Sequence, residues 1–257
     1  MGIINVTPDS FYKNSRFQEV EEILAKVNQM NSDGADIIDI GGYSSRPGAA
    51  DISEDKEISR VVPVIKKIHE RFPGLLISID TFRSNVAEEA VKSGASIIND
   101  ISGGLQDVKI FNVAARYNVP FILMHMKGTP QTMMSHTNYE NPVKEISFYF
   151  SAQIEKAKNA GVKDIILDPG FGFSKTIDQN FELLNQLEQF RLFDLPILVG
   201  ISRKATIYKT LGILPEESLN GTTVLNTVAL LKGASILRVH DVKEAKEAVN
   251  LVSRLNR

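Results

Sequence analysis

Eight short apolar runs punctuate the chain, at Ile3–Val6, Ile37–Ile40, Leu76–Asp80, Ile97–Asn99, Phe121–Met124, Ile165–Asp168, Ile197–Gly200 and Ile236–Val239. Short apolar runs closed by turn or polar residues are the pattern of strands buried on both faces, which parallel sheets contain. Between them lie stretches of helical period. Val20, Ile23, Leu24, Val27 and Met30 follow the i, i+3, i+4, i+7 spacing. Ile58, Val61, Val62, Ile65 and Ile68 do the same, as do Phe181, Leu184, Leu187 and Phe190. Ser53 ahead of Glu54 and Asp55 predicts an N-cap with acids favourable to the helix dipole.

A weak repeat runs through this pattern. DGADIIDI (33–40), SGASIIND (93–100) and KGASILRV (232–239) share a Gly-Ala-x-Ile core, and AGVKDIILD (160–168) is a looser copy. Each predicts a helix ending on a left-handed Gly with a buried strand just behind it. Strand and helix alternate without a linker. That predicts one domain over 1–257, an α/β fold of the (β/α)8 TIM barrel type with a parallel eight-stranded core. A doubly wound open sheet is the structural alternative, and no dinucleotide fingerprint follows the first strand to favour it. The first strand begins at residue 3, so either the barrel floor is open or an N-terminal segment is missing.

Composition narrows the function. The 257 residues suit one barrel of about 250 residues. A net charge of −2 gives no basic field for nucleic acid or an anionic membrane. The absence of cysteine excludes disulfides, thiolate metal sites and a Cys nucleophile. No apolar run reaches the roughly 18 residues of a membrane span, and MGIINVTPDS lacks the features of a signal peptide or a myristoylation site. A cytoplasmic protein is expected, with no nucleic-acid or membrane partner.

Enzymes on this fold work at the carboxyl ends of the strands. Those ends carry Asn5 with TPDSF, GGYSSRPGA (41–49), Asp80, Asn99, MHM (124–126), Asp168, GISRK (200–204) and RVHD (238–241). Singly, each has a plain explanation. Asp80-Thr81 and Asn99-Asp100 could cap helices, Asp168 could start a turn, and His125 could fill space among methionines. Eight polar strand ends together make a site. Two carboxylates, an amide and an ammonium (Asp80, Asp168, Asn99, Lys204) suit a flat heterocycle bearing donors and acceptors, with Phe173 to stack on it. Arg46, Arg238 and His240 supply positive charge for phosphate. The four histidines are too scattered for a zinc site.

These segments resemble the pterin-binding dihydropteroate synthases of folate biosynthesis. The matching residues are GIINVTPDSF (2–11), DIGG (39–42) with SSRPGA (44–49), SIDT (78–81), IND (98–100), MHMKGTP (124–130), DPGFGF (168–173), GISRK (200–204) and RVHDV (238–242). The resemblance implies a transferase that joins 6-hydroxymethyl-dihydropterin pyrophosphate to p-aminobenzoate and releases pyrophosphate with Mg²⁺ present. It implies that Asp80, Asn99, Asp168 and Lys204 hold the pterin, with Met124, Gly200 and Phe173 lining its pocket. Asn5 would ligate Mg²⁺ and pyrophosphate, which Ser45, Arg46, Arg238 and His240 also engage. Phe11, Pro47, Ser202 and Arg203 would shape the p-aminobenzoate site, where backbone N–H groups after Lys204 suit a carboxylate. Asp80, Asp168, Lys204, Arg238 and His240 carry the catalytic roles. The family also implies a homodimer through late helices. Leu225, Val228, Ala229 and Leu231 offer apolar surface there, although barrel packing is the plainer use of such a stripe.

The chain departs from the family pattern on one side. Tyr12-Lys13-Asn14-Ser15 follows NVTPDSF, so a cation stands where the family usually has Asp. Tyr43 replaces Glu, Ser45 replaces Thr, Ala205 replaces Ser and Ser174 replaces Gly. The pterin and phosphate sets are intact, so altered amine recognition is expected, and sulfonamide sensitivity depends on the same loops. Two other readings stay open: a pterin-pyrophosphate-binding paralogue without catalysis, and a pterin-dependent methyltransferase. Arg238 and His240 disfavour the second, which has no pyrophosphate to bind.

Overall fold

The structure, a computed structural model, describes residues 1–6, 16–44 and 51–255. Eight strands alternate with helices: β1 (Gly2–Asn5), β2 (Ile37–Gly41), β3 (Leu76–Asp80), β4 (Ile97–Asp100), β5 (Phe121–Met124), β6 (Ile165–Asp168), β7 (Leu198–Val199) and β8 (Ile236–Leu237). Strands β1 to β6 form one parallel sheet in chain order, and β7 pairs with β8. Parallel bridges Leu167–Ile197 and Gly2–Val239 join the two pieces at both edges. The ring is therefore complete, a (β/α)8 barrel.

Alternation along each strand separates two cores. Outward residues such as Ile38, Ile40, Ile77, Ile79, Leu123 and Leu167 pack on the helices. Inward residues Ile37, Ile97, Ile122, Ile166 and Leu198 fill the lumen at its amino end, where Met1 and Ile236 pack on them. Two residues further along several of these strands, the inward position is polar: Asp39, Asn99, Asp168 and Arg238. An apolar floor beneath a polar upper layer is the frame of the site.

The helices are α1 (Arg16–Ser32), α2 (Glu54–Arg71), α3 (Ser84–Lys92), α4 (Ile110–Tyr117), α5 (Pro142–Asn159), α6 (Ile177–Asn185), α7 (Ala205–Leu211), α8 (Leu219–Leu231) and α9 (Val242–Leu255). Ser53 caps α2 by accepting from Lys56 N at 3.3 Å. The repeat glycines Gly34, Gly94, Gly161 and Gly233 have φ of 93°, 117°, 95° and 98°, so each turns its chain into the next strand as the repeat predicts. The Phe181–Phe190 pattern does not make one helix. It divides at Gln186 into α6 and a 3₁₀ segment, Leu187–Phe193, since apolar spacing of three serves a 3₁₀ turn as well.

Helix α8 also differs from expectation. Its buried residues are Thr222, Asn226 and Ala229, whereas Leu225 and Val228 are half-buried and Val224 and Leu231 are exposed. Barrel packing takes up Ala229 fully and Leu225 and Val228 in part, and leaves Val224 and Leu231 exposed. No described helix is long and apolar enough to cross a membrane.

Leu198 is fully buried in the lumen floor. Leu198→Ala is expected to lose about 2–5 kcal/mol, because a closed ring cannot collapse on the cavity. The urea midpoint measures this.

Candidate active site

Strand pleat sorts the polar strand ends. At β4, Asn99 faces the lumen and Asp100 faces outward. Asp100 accepts from Ser102 N and Gly104 N, both at 2.7 Å, and so builds the following turn. Asn99 instead donates from Nδ2 to Asp39 Oδ2 at 3.1 Å inside the barrel. Neither residue caps a helix: Asp100 shapes a turn, and the next helix, α4, begins at Ile110.

Arg238 sits at the centre. It donates from Nε to Asp39 Oδ2 and from Nη2 to Asp80 Oδ2, both at 2.7 Å. Burial works against its charge, yet Asp39 and Asp80 raise the guanidinium above its ordinary range. Burial pushes Asp80 up to about 7, and Arg238, shared between two carboxylates, pulls it back only in part. Asp39 was not foreseen as a site residue. Its signal was available, as an acid in the middle of a strand buried on both faces, two residues past the inward Ile37. Its Oδ1 and the hydroxyl of Ser78, its register neighbour on β3, find no partner among the described residues. A methyl built on Gly41 would lie 3.6 Å from both Asn5 Oδ1 and Asp80 Oδ2, which puts Asn5 on the same patch.

Across the mouth, Asp168 is buried at the end of β6 and accepts from Gly170 N at 2.8 Å. Burial raises its pKa, and Lys204 opposes the rise. Burial in turn lowers the Lys204 ammonium to about 8, with Asp168 pulling the other way. Lys204 Nζ donates to Phe171 O and lies 4.5 Å from the centre of the Phe173 ring. Met124 and Phe173 belong to an apolar cluster with Phe82, Ile101, Met126 and Met133, which forms a wall beside the carboxylates. Gly200, just beyond β7, lies beside Arg238, whose Cβ a methyl there would meet at an ordinary contact distance of 3.8 Å. Six of the residues expected to contact pterin thus lie at or just beyond the carboxyl ends of the strands, with Gly200 as the seventh.

The remaining expected residues behave differently. Ser202 is buried, meets His240 Nδ1 at 3.1 Å and accepts from His240 N at 3.2 Å, so it orients the histidine. Partial enclosure and Arg238 lower His240 to about 4, leaving it neutral near pH 7. Arg203, at φ 54°, is held by Asp241 through Nε at 2.8 Å and Nη2 at 2.7 Å, and by the Pro215 and Glu216 carbonyls. It braces a loop. Ala205 opens α7 with no side-chain cap from Lys204. Tyr43 accepts from Gln131 Nε2 at 2.8 Å and meets Phe82 edge-on, tying the loop after β2 to the loop after β5. Phe11, Lys13, Ser45, Arg46 and Pro47 lie outside the described residues.

A family model described as pterin binding enzyme matches residues 1–240. The chain belongs to the pterin-binding enzyme family. It is 43% identical over 254 residues to the dihydropteroate synthase of Escherichia coli K12, covering 98% of this chain and 89% of that one. A crystal structure of Clostridium difficile dihydropteroate synthase in the presence of pteroic acid matches with a TM-score of 0.94 at 39% identity, covering 100% of this chain and 95% of that one. A Xanthomonas albilineans dihydropteroate synthase with 4-aminobenzoic acid matches at 0.90 and 36% identity, covering 99% and 92%. The pterin-binding family is a family of barrels, and the ring of this chain superposes on them nearly end to end.

The charge arrangement predicts an unusual pH response. A carboxyl whose folded pKa exceeds its unfolded one gains protons on folding, so its contribution to stability falls as pH rises between the two values. Asp80 has this sign between about 4 and about 7. Arg238→Met removes the counter-charge from Asp39 and Asp80, at a cost of about 3–5 kcal/mol. Urea midpoints are expected to show the largest loss at pH 8 and partial recovery at pH 5.5.

Proposed function

We infer that the chain catalyses the dihydropteroate synthase reaction, condensing 6-hydroxymethyl-7,8-dihydropterin pyrophosphate with p-aminobenzoate. The observation that carries this reading is the clustering of Asp80, Asn99, Asp168, Lys204 and Arg238 at the carboxyl ends of the strands. In our reading the Asp168 carboxylate accepts two parallel N–H bonds from the aminopyrimidinone edge, and Lys204 donates to its carbonyl. Asp80 and Asn99 hold the opposite edge, while Phe173 and Met124 line the ring. Arg238 spends Nε and Nη2 on carboxylates, which leaves its Nη1 donors for the pyrophosphate. Ser202 holds His240 in the tautomer that carries hydrogen on Nε2, so the neutral ring donates to phosphate without adding charge.

The substitution is dissociative in this reading. The methylene C–O bond breaks with its electron pair leaving on pyrophosphate, and the pterin ring delocalises the cation. The aryl amine lone pair then forms the C–N bond, and the nitrogen loses a proton. Closure of the loops after β1 and β2 would keep water from the cation. Arg203 and Ser202 serve the amine side by fixing the loop and His240, with Phe11 and Pro47 as proposed contacts. The proposed location is the cytoplasm.

Among the described residues, no group of three or more His, Asp or Glu could hold a metal. A Mg²⁺ ion bound mainly by substrate phosphates and water needs only one or two protein oxygens, and Asn5 Oδ1 fits that need. When bound, the ion would neutralise charge on the departing pyrophosphate.

Pyrophosphate release from purified protein with both substrates and Mg²⁺ is expected to require p-aminobenzoate. Asp168→Asn is expected to lower kcat/KM for the pterin substrate about 100-fold, the worth of a charge-assisted bond of ~3 kcal/mol. Tight pterin binding without turnover in the unaltered protein would instead identify a binding paralogue.

We also propose a homodimer through α8, because Val224 and Leu231 are exposed on a helix apolar along most of its length. Sedimentation is expected to give twice the chain mass, and Leu231→Glu to shift it toward the monomer.

A further inference from the structure

The reading above gives no task to Lys175. This residue lies between β6 and α6 and is buried at 3% exposure. Lysine is almost never buried without partners. The Lys175 Nζ has three: Gly170 O at 2.9 Å, Phe173 O at 3.0 Å and His125 Nδ1 at 3.2 Å. An ammonium has three N–H donors, so its capacity is met in full. Burial, with help from Lys175 and Lys127, holds the His125 pKa well below its ordinary range. The ring is therefore neutral, and its Nδ1 accepts.

All three partners belong to the walls of the pterin opening. Gly170 and Phe173 bound the turn that follows Asp168, and His125 follows Met124 on the neighbouring strand end. The turn is drawn tight from several sides. Gly170 N donates to Asp168 Oδ1 at 2.8 Å, Gly172 N donates to Asn180 Oδ1 at 2.7 Å, and Lys204 donates to Phe171 O. Gly170, at φ 72°, passes so close to β5 that a Cβ there would lie 2.0 Å from His125 O. Ser174 adds a further pin. At φ 47° it adopts a conformation that favours glycine, yet its Oγ accepts from Lys127 N at 3.0 Å and meets Tyr139 at 3.3 Å.

We propose that Lys175 is a positioning residue for pterin recognition, its ammonium holding the Asp168–Phe173 turn in the shape that presents the Asp168 carboxylate and the Phe173 ring. This rests on Asp168 and Phe173 being pterin contacts. The charges facing Lys175 are Asp168 from β6, Lys204 at the start of α7 and Lys127 beyond β5, with Tyr139 and Tyr149 bordering His125. Burial lowers the Lys175 pKa to about 7, and Asp168 opposes the change. Loss of the proton need not empty the site. The amine keeps two N–H bonds to the carbonyls and turns its lone pair to His125, which moves its own proton from Nε2 to Nδ1.

The test compares Lys175→Met with Asp168→Asn in the full chain, using steady-state kinetics in each substrate. Lys175→Met keeps length while removing charge and donors. It is expected to raise KM for the pterin pyrophosphate at least tenfold and leave KM for p-aminobenzoate within about twofold. A folded Lys175→Met with both KM values unchanged, or with only kcat lowered, overturns the proposal. Asp168→Asn separates the two failures. A pterin defect there without one in Lys175→Met sinks the role of Lys175 alone, and no pterin defect in either sinks the pterin assignment too. Should Lys175→Met not fold, ¹⁵N-histidine NMR on the unaltered protein decides. His125 Nδ1 is expected to be an unprotonated acceptor at pH 6 and to gain hydrogen above about pH 8. Hydrogen on Nδ1 already at pH 6 overturns the proposal.

Discussion

The upper barrel depends on one guanidinium placed between two carboxylates. Arg238 reaches from β8 to Asp39 on β2 and Asp80 on β3, and Asn99 on β4 completes the link through Asp39. Buried charges are tolerated only when paired and hydrogen-bonded, so these four strand ends must keep their register for the lumen to hold them. The residues proposed to contact substrate are thus also the ones whose ion pairs tie these strand ends together. Gly2 and Val239 bridge β1 to β8 one residue from Arg238, so the charge network and the seam of the barrel share a strand.

Below that layer the lumen is apolar and insensitive to charge. Ile37, Ile97, Ile122, Ile166 and Leu198 fill it without a polar atom. The boundary between the layers follows from the pleat, since inward positions recur every second residue. A site built this way stands on strands rather than loops. Of the departures expected from the family pattern, Tyr43 lies just beyond β2, Ala205 opens α7, and Lys13 is outside the described residues. The tie between Tyr43 and Gln131 gives one of them a structural role at the mouth.

The turn after Asp168 joins the two levels. Its geometry comes from Gly170 and Gly172, both at positive φ, while its carbonyls are held by Lys175 and Lys204. Two lysines, Lys175 buried and Lys204 half-buried, therefore serve one turn. Lys204 also faces the Phe173 ring, whereas Lys175 meets carbonyls and a histidine ring.

The eight strands, their order and most of the polar residues at their carboxyl ends were legible in the linear sequence. Short apolar runs, left-handed glycines and polar strand ends are local signals, and residues such as Asp80, Asn99 and Asp168 stand at the end of such a run. Asp39 was legible in principle, as an acid two residues past an inward Ile, but the run around it read as plain strand. The pairing of Arg238 with two acids 199 and 158 residues away was decided only by the closed ring, because no periodicity encodes which strands meet across a lumen. The same holds for Arg203, whose cation turns to Asp241, and for Lys175, which is buried beside the turn after Asp168. Local pattern determines where strands and helices lie. Which charges neutralise one another is settled by three-dimensional proximity in a medium too poor in water to screen them.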